Sequence, residues 1–333
     1  MAGKLKFFIM KIVPCLLTFA ILLYFCFAQN SFITLMKVFP KLNIFYFFCA
    51  ILSMVVFWVT DSLIIEKILP NRLKSKFEYF KLTMSGQFYG AITPFASGSQ
   101  PAQVLFLNQR GVSAGRSISV LSQKFFISQL CVVLISSLSI LFKSQNFRNK
   151  IPGFTFLTLL GLTTQFTGIV MVVLFYKYKN HMMSLIQWLL RIFHKFKFIK
   201  DSKKLNKKIE DQLTFFLKNN FSINYGPLIY IYCLIQNISL HSVTFFIAKS
   251  FGCEGFPIFD MLAAQVFITL LSAVNPLPGA AGTTEGSFLL ILQDFFSRPD
   301  ILPAMILCRL INYYLSILVG FITININNKA TKC

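Results

Sequence analysis

Glu285 and Arg309 carry opposite charges inside sequence that is otherwise apolar enough to sit in a membrane. Opposite charges at membrane depth normally pair, and each is a functional hypothesis by default. A Glu285–Arg309 contact is therefore expected, either as part of a ligand site or as a pin between two helices. Asn312, Tyr313 and Tyr314 stand beside the arginine. A second constellation is a short pattern written twice. Ala91-Ile92-Thr93-Pro94-Phe95 precedes Gly98-Ser99-Gln100, with Gln103 one turn on. Ala273-Val274-Asn275-Pro276-Leu277 precedes Pro278, Gly279 and Gly282, with Thr283 and Thr284 next. Each copy orders a small residue, a β-branched residue, a hydroxyl or amide, a proline and an apolar residue. Proline lacks the N–H that a helix needs, and glycine gives up backbone order. Each run must break a helix, and the resulting ends expose N–H groups and a positive dipole end suited to an anionic group. With Arg309 nearby, a phosphate-bearing lipid headgroup is a sensible ligand. A small ion or solute is the alternative occupant.

The elements that position these residues are membrane spans. The sequence is 56% hydrophobic and 16% aromatic, with a mean hydropathy of +0.67. Spans of about 20 apolar residues, the length that crosses a hydrocarbon core, fall at 9–28, 44–66, 117–142, 155–176, 226–249 and 301–324. The pieces at 82–107 and 258–296 are each split by their Pro/Gly run into halves too short to cross alone. The fold class is all-α and polytopic: six full spans plus two broken or re-entrant elements in one membrane domain over 1–333. The matching five-residue order points to an inverted repeat with its breaks facing each other near the midplane. The alternative is two ordinary kinked helices.

Net charge is +21, from 32 basic and 11 acidic residues. Most of it lies between hydrophobic segments, where it sets topology and meets anionic lipid headgroups at the cytoplasmic face; nucleic-acid binding is not expected. Lys4, Lys6 and Lys11 place the N-terminus in the cytoplasm, as an uncleaved first span rather than a signal peptide. Arg72, Lys74, Lys76 and Lys81 mark the loop after the second span as cytoplasmic. The segment 177–218 carries 11 basic and 3 acidic residues; within it 181–198 reads as an amphipathic helix in the cytoplasmic interface, and the lysines that follow as a lipid-headgroup patch or a solvated connector that fixes orientation. Lys329 and Lys332 keep the C-terminus inside. One loop, 143–154, is basic yet should lie outside. Asp61 and Glu66, close to the basic end of their span, read as interfacial, and Lys124 as a snorkelling side chain. Eight scattered cysteines without a C-x-x-C pair and three dispersed histidines give neither a disulfide framework nor a metal site.

The same residues resemble the flippase-like integral-membrane family, also called the lysylphosphatidylglycerol synthetase transmembrane region. The resemblance covers essentially the whole chain. It rests on Thr93-Pro94 through Gly98-Ser99-Gln100, on Pro276-Leu277-Pro278-Gly279-Ala280-Ala281-Gly282-Thr283-Thr284-Glu285, and on Arg309 followed by Tyr313, Tyr314 and Gly320. Many members carry an acidic residue and an arginine where this sequence has Gln100 and Gln103. The resemblance implies translocation of an anionic or aminoacylated phospholipid such as (lysyl-)phosphatidylglycerol, and with it resistance to cationic peptides. In multidomain members a further domain transfers lysine from tRNA to the lipid. This sequence ends at Cys333, directly after its last span, so lysyltransferase activity is not expected of it alone. That activity, through a separate synthetase subunit, is one alternative reading; ion or small-solute transport is the other. The expected setting is a bacterial cell membrane, with no cofactor or metal and with oligomerisation left open. The expected binding set is Thr93, Pro94, Gly98, Ser99, Gln100, Gln103, Asn275, Pro276, Pro278, Gly279, Gly282, Thr283, Glu285, Arg309 and Tyr313.

Overall fold

The computed structural model describes residues 40, 42–148, 153–178 and 225–326. Among these the chain is helical, without a strand. Five helices are long and apolar enough to cross a membrane: α1 (Ile44–Ile68), α4 (Ala114–Lys143), α5 (Phe154–Lys177), α6 (Pro227–Ser250) and α9 (Ile301–Asn325). They answer to five of the six expected spans. The first span and nearly all of the basic segment 177–218 lie outside the described residues. The broken elements are α2 (Lys76–Ala91) with α3 (Ser99–Asn108), and α7 (Ile258–Ser272) with α8 (Thr283–Leu292). At about 1.5 Å per residue none of these four halves reaches the roughly 30 Å of a hydrocarbon core.

Two triplets make up most of the described residues. The first is α1, α2–break–α3 and α4; the second is α6, α7–break–α8 and α9, with α5 between them. Helices α1 and α6 pack against each other along their lengths and run antiparallel. The Asn43 N–H at the start of α1 donates to the Ser250 carbonyl at the end of α6 (2.8 Å). The Ser242 hydroxyl meets that of Ser53 at 3.3 Å, and Gln236 reaches Asp61 at 2.6 Å. Small residues (Ala50 and Ser53 against Ser242) let the backbones approach, the packing that substitutes for a hydrophobic drive inside lipid. Polar contacts repeat between the triplets. In the first, Asp61 meets Thr83, 22 residues on, and Lys124, 63 residues on. In the second, Thr244 meets Gln265, 21 residues on, and Cys308, 64 residues on. Equivalent helices that run antiparallel define an inverted repeat.

The triplets are also cross-linked. Helix α9 lies antiparallel on α2, with the Tyr313 hydroxyl donating to the Ala91 carbonyl (2.9 Å) at one end and Lys81 Nζ donating to the Ile326 carbonyl (2.8 Å) at the other. Gly320 makes this seam possible: a Cβ there would stand 2.8 Å from that of Phe88 and 3.0 Å from the Met84 carbonyl oxygen. Helix α4 meets α7 in the equivalent way, and Lys143 pairs with Asp260 at 2.5 Å. That pair removes one cation from the basic 143–154 loop, the loop that fits the charge rule poorly.

Two expectations need correction. The first broken element starts at Lys76 rather than at residue 82, because Lys81 is helical and buried, its ammonium spent on the end of α9. Asp61 is not interfacial and Lys124 does not snorkel. Asp61 is 3% exposed and accepts from Lys124 (2.7 Å), Thr83 (3.0 Å) and Gln236 (2.6 Å). Buried charge needs partners, and here α2, α4 and α6 supply them.

Candidate functional site

The residue before each first proline staples its break. Thr93 Oγ1 accepts from the Gly98 N–H (2.8 Å) and donates to the Tyr89 carbonyl (2.7 Å). At the equivalent place Asn275 donates to the Ala281 carbonyl (3.0 Å) and to Thr283 Oγ1 (2.6 Å), and accepts from the Leu277 N–H (2.9 Å). Each turn then passes through two left-handed residues, Phe95 and Ala96 in one and Gly279 and Ala280 in the other. For the three that are not glycine this costs roughly 1–2 kcal/mol each. Such strain persists only where the surroundings impose it, and functional sites are where it gathers.

The breaks touch each other. The Phe95 N–H donates to the Pro276 carbonyl at 3.3 Å. Beside this contact lies a chamber of ≈ 440 Å³, walled by the end of α2, both turns, the end of α7 and the middle of α9. Ser99, Asn275, Gly279 and Tyr313 from the expected set line it, together with Gln87, Ser272, Asn312 and Ser316. Its volume falls within the range, about 300–1,000 Å³, of sites that take small organic groups. Helix α9 passes the chamber through a π-helical stretch, Leu310–Tyr314, an irregularity common at functional sites.

The expected ion pair is present. Arg309 Nε and Nη2 each lie 2.6 Å from Glu285 Oε1. The other carboxylate oxygen accepts from the Gly282 N–H (2.7 Å) and caps α8. Glu285 is 2% exposed. The pair therefore binds α9 to the start of α8 and satisfies itself. It lines a smaller cavity of ≈ 130 Å³ with Gln265, Thr269 and Thr284, and Asn312 stands between that cavity and the chamber.

The remaining expected residues support the turns. Gly98 begins α3, where a Cβ would meet the Tyr89 carbonyl oxygen at 2.8 Å. Gln103 is buried, donating to the Leu82 carbonyl at 3.3 Å. Pro94 and Pro278 open the two short turns, and Gly282 and Thr283 begin α8. Gln100 is exposed, outside the chamber. Gln87, Ser272 and Ser316 stand outside the binding set expected from the sequence. Their signal, a polar side chain within one turn of a break or of Tyr313, is weak against the many serines and glutamines of these helices.

Asp61–Lys124 is the second buried ion pair of the described residues. Replacing Lys124 with Met is expected to cost about 3 kcal/mol by stranding the carboxylate, read as a lower melting temperature in detergent. Adding Asp61→Asn should recover most of the loss. Equal stability of Lys124→Met and wild type would show that the pair contributes nothing.

The chain is an all-α polytopic membrane protein built as two antiparallel triplets, each broken at mid-helix. Residues 11–320 match the lysylphosphatidylglycerol synthase TM region, and the chain belongs to that family. It is also similar to a UPF0104 membrane protein of Archaeoglobus fulgidus, 26% identical over 294 residues, spanning 83% of this chain and 84% of that protein. The family ties the fold to membrane lipid.

Proposed function

We propose that the protein moves a membrane lipid between leaflets, the outer end of its headgroup entering the chamber between the two breaks while the acyl chains stay in the bilayer. One observation carries this reading: two short, strained turns from antiparallel repeats meet at a polar-walled space. Irregular backbone at membrane depth is tolerated where protein buries it or where it lines a cavity. The family points to an anionic or aminoacylated phospholipid of the phosphatidylglycerol class. The two buried ion pairs hold the repeats as rigid units, and rocking one repeat against the other alternates access to the chamber. The flanking lysines support cytoplasmic termini in a bacterial cell membrane.

Site-specific photocrosslinking tests the path. A photoreactive residue at Ala273, in the chamber wall, should form adducts with lipid headgroup atoms. The same residue at Leu141, 75% exposed on α4, should capture acyl chains instead. Absence of lipid adducts at 273, or adducts there to acyl chains alone, would count against a headgroup path through the chamber.

A further inference from the structure

The chamber wall does not have the chemistry of an anion site. Among the described residues no lysine, arginine, aspartate or glutamate lines it. The nearest cation on its wall's own helix, Arg309, is committed to Glu285 through two N–H groups and lies 5.2 Å from the centre of the Tyr313 ring. The peptide N–H of Gly98, which precedes α3, is taken by Thr93, and that of Gly282, which precedes α8, by Glu285. Among the described residues a desolvated phosphate here would find no uncommitted positive charge, at a cost above that of a neutral group. A desolvated ammonium would fare no better, since the chamber offers no carboxylate to pair with it.

What the wall offers is neutral hydrogen bonding from hydroxyls and carboxamides: Gln87, Ser99, Ser272, Asn312 and Ser316, beside the ring of Tyr313. Asn312 Oδ1 is buried and accepts no hydrogen bond. An orphaned buried acceptor costs about 1–3 kcal/mol and calls for an explanation. Turned toward the chamber, this carboxamide oxygen would take a donor. A phosphate diester has only acceptors, whereas a hydroxyl donates and accepts at once, which is what a wall of mixed amides and hydroxyls matches.

We infer that the chamber selects an uncharged, hydroxyl-rich group, a glycerol or a sugar, and that any phosphate of the ligand stays outside it. This rests on the lipid-translocation reading, and the experiment separates the two. Purified protein is reconstituted in phosphatidylcholine vesicles with trace lipids carrying one fluorescent acyl chain: phosphatidylglycerol, a monogalactosyl diacylglycerol, or phosphatidic acid. Protein-dependent movement is read by quenching the outer leaflet. The first two should move, and phosphatidic acid should lag by about tenfold or more, because a site built to bond hydroxyls rejects a ligand lacking them. Asn312→Leu, or Ser99→Ala should the first variant not fold, should slow the two hydroxylated lipids more than phosphatidic acid and so narrow the gap between them. Phosphatidic acid keeping pace, or the galactolipid standing still while phosphatidylglycerol moves, would overturn the inference and leave translocation standing. Should no lipid move while labelled glycerol or galactose enters the same vesicles, the hydroxyl chemistry would stand and lipid translocation would fall. Movement of neither lipid nor free polyol would overturn both.

Discussion

Gly279→Ala should lower the melting temperature in detergent and abolish transport. A Cβ at this position would lie 2.4 Å from the Tyr313 ring. That ring is buried, and its hydroxyl is bonded to the Ala91 carbonyl across the repeat interface. Moving it aside would surrender the bond that joins α9 to the first break. Overpacking of this kind costs about 1–3 kcal/mol. The left-handed backbone, φ +61°, adds roughly 1–2 kcal/mol for any residue with a Cβ. The internal control is Gly286→Ala, four residues into α8, where a Cβ would meet nothing within 4 Å. That change should be neutral or stabilise by about 0.5–1 kcal/mol, as expected for glycine within a helix. If both variants melt with wild type, the packing of the second break against Tyr313 is not what holds the turn.

Arg309→Gln should be the most damaging single change at the buried pair, costing about 3–5 kcal/mol by leaving a carboxylate buried without its cation. Glu285 would keep its bond to the Gly282 N–H but lose both guanidinium contacts. Glu285→Gln should cost less, because a glutamine oxygen can still accept from Gly282 and cap α8. The double variant Glu285→Gln/Arg309→Gln leaves no unpaired charge and should be more stable than Arg309→Gln alone. A double-mutant cycle in thermal unfolding reads this coupling directly. Additive losses would contradict a closed pair. Transport that persists in the double variant would assign the pair a purely structural role, with the headgroup held elsewhere in the chamber.

Much of this arrangement was legible in the residue order, and the exceptions have physical causes. The breaks could be found because proline and glycine act locally: Pro94, Pro276 and Gly279 interrupt a helix whatever surrounds them. The Glu285–Arg309 contact could be anticipated because charge at membrane depth must pair. Asp61 was misplaced because its distance along the span says nothing of Lys124 standing opposite, a contact made only when α1, α2, α4 and α6 assemble. Lys81 looked like loop charge for a similar reason, since its acceptor, the Ile326 carbonyl, lies 245 residues away. The staple roles of Thr93 and Asn275 were invisible. Both residues were read as ligand groups, and their hydrogen bonds go to the turns themselves. The chamber wall was legible only in part, since Ser99 and Asn275 lie in the motifs, whereas Gln87 and Asn312 reach it from the flanks of long helices.

The central claim is that this chain carries lipid across the membrane through the meeting point of its two breaks, and leaflet sidedness in reconstituted vesicles tests it most directly. Purified protein would be incorporated with fluorescent phosphatidylglycerol or its lysyl derivative in the inner leaflet, and the fraction reaching an external quencher followed over time. The account predicts protein-dependent exposure of at least one of the two lipids, lost in Gly279→Ala and retained in Gly286→Ala. Exposure at the protein-free rate for both lipids, or equal activity in the two glycine variants, would contradict it.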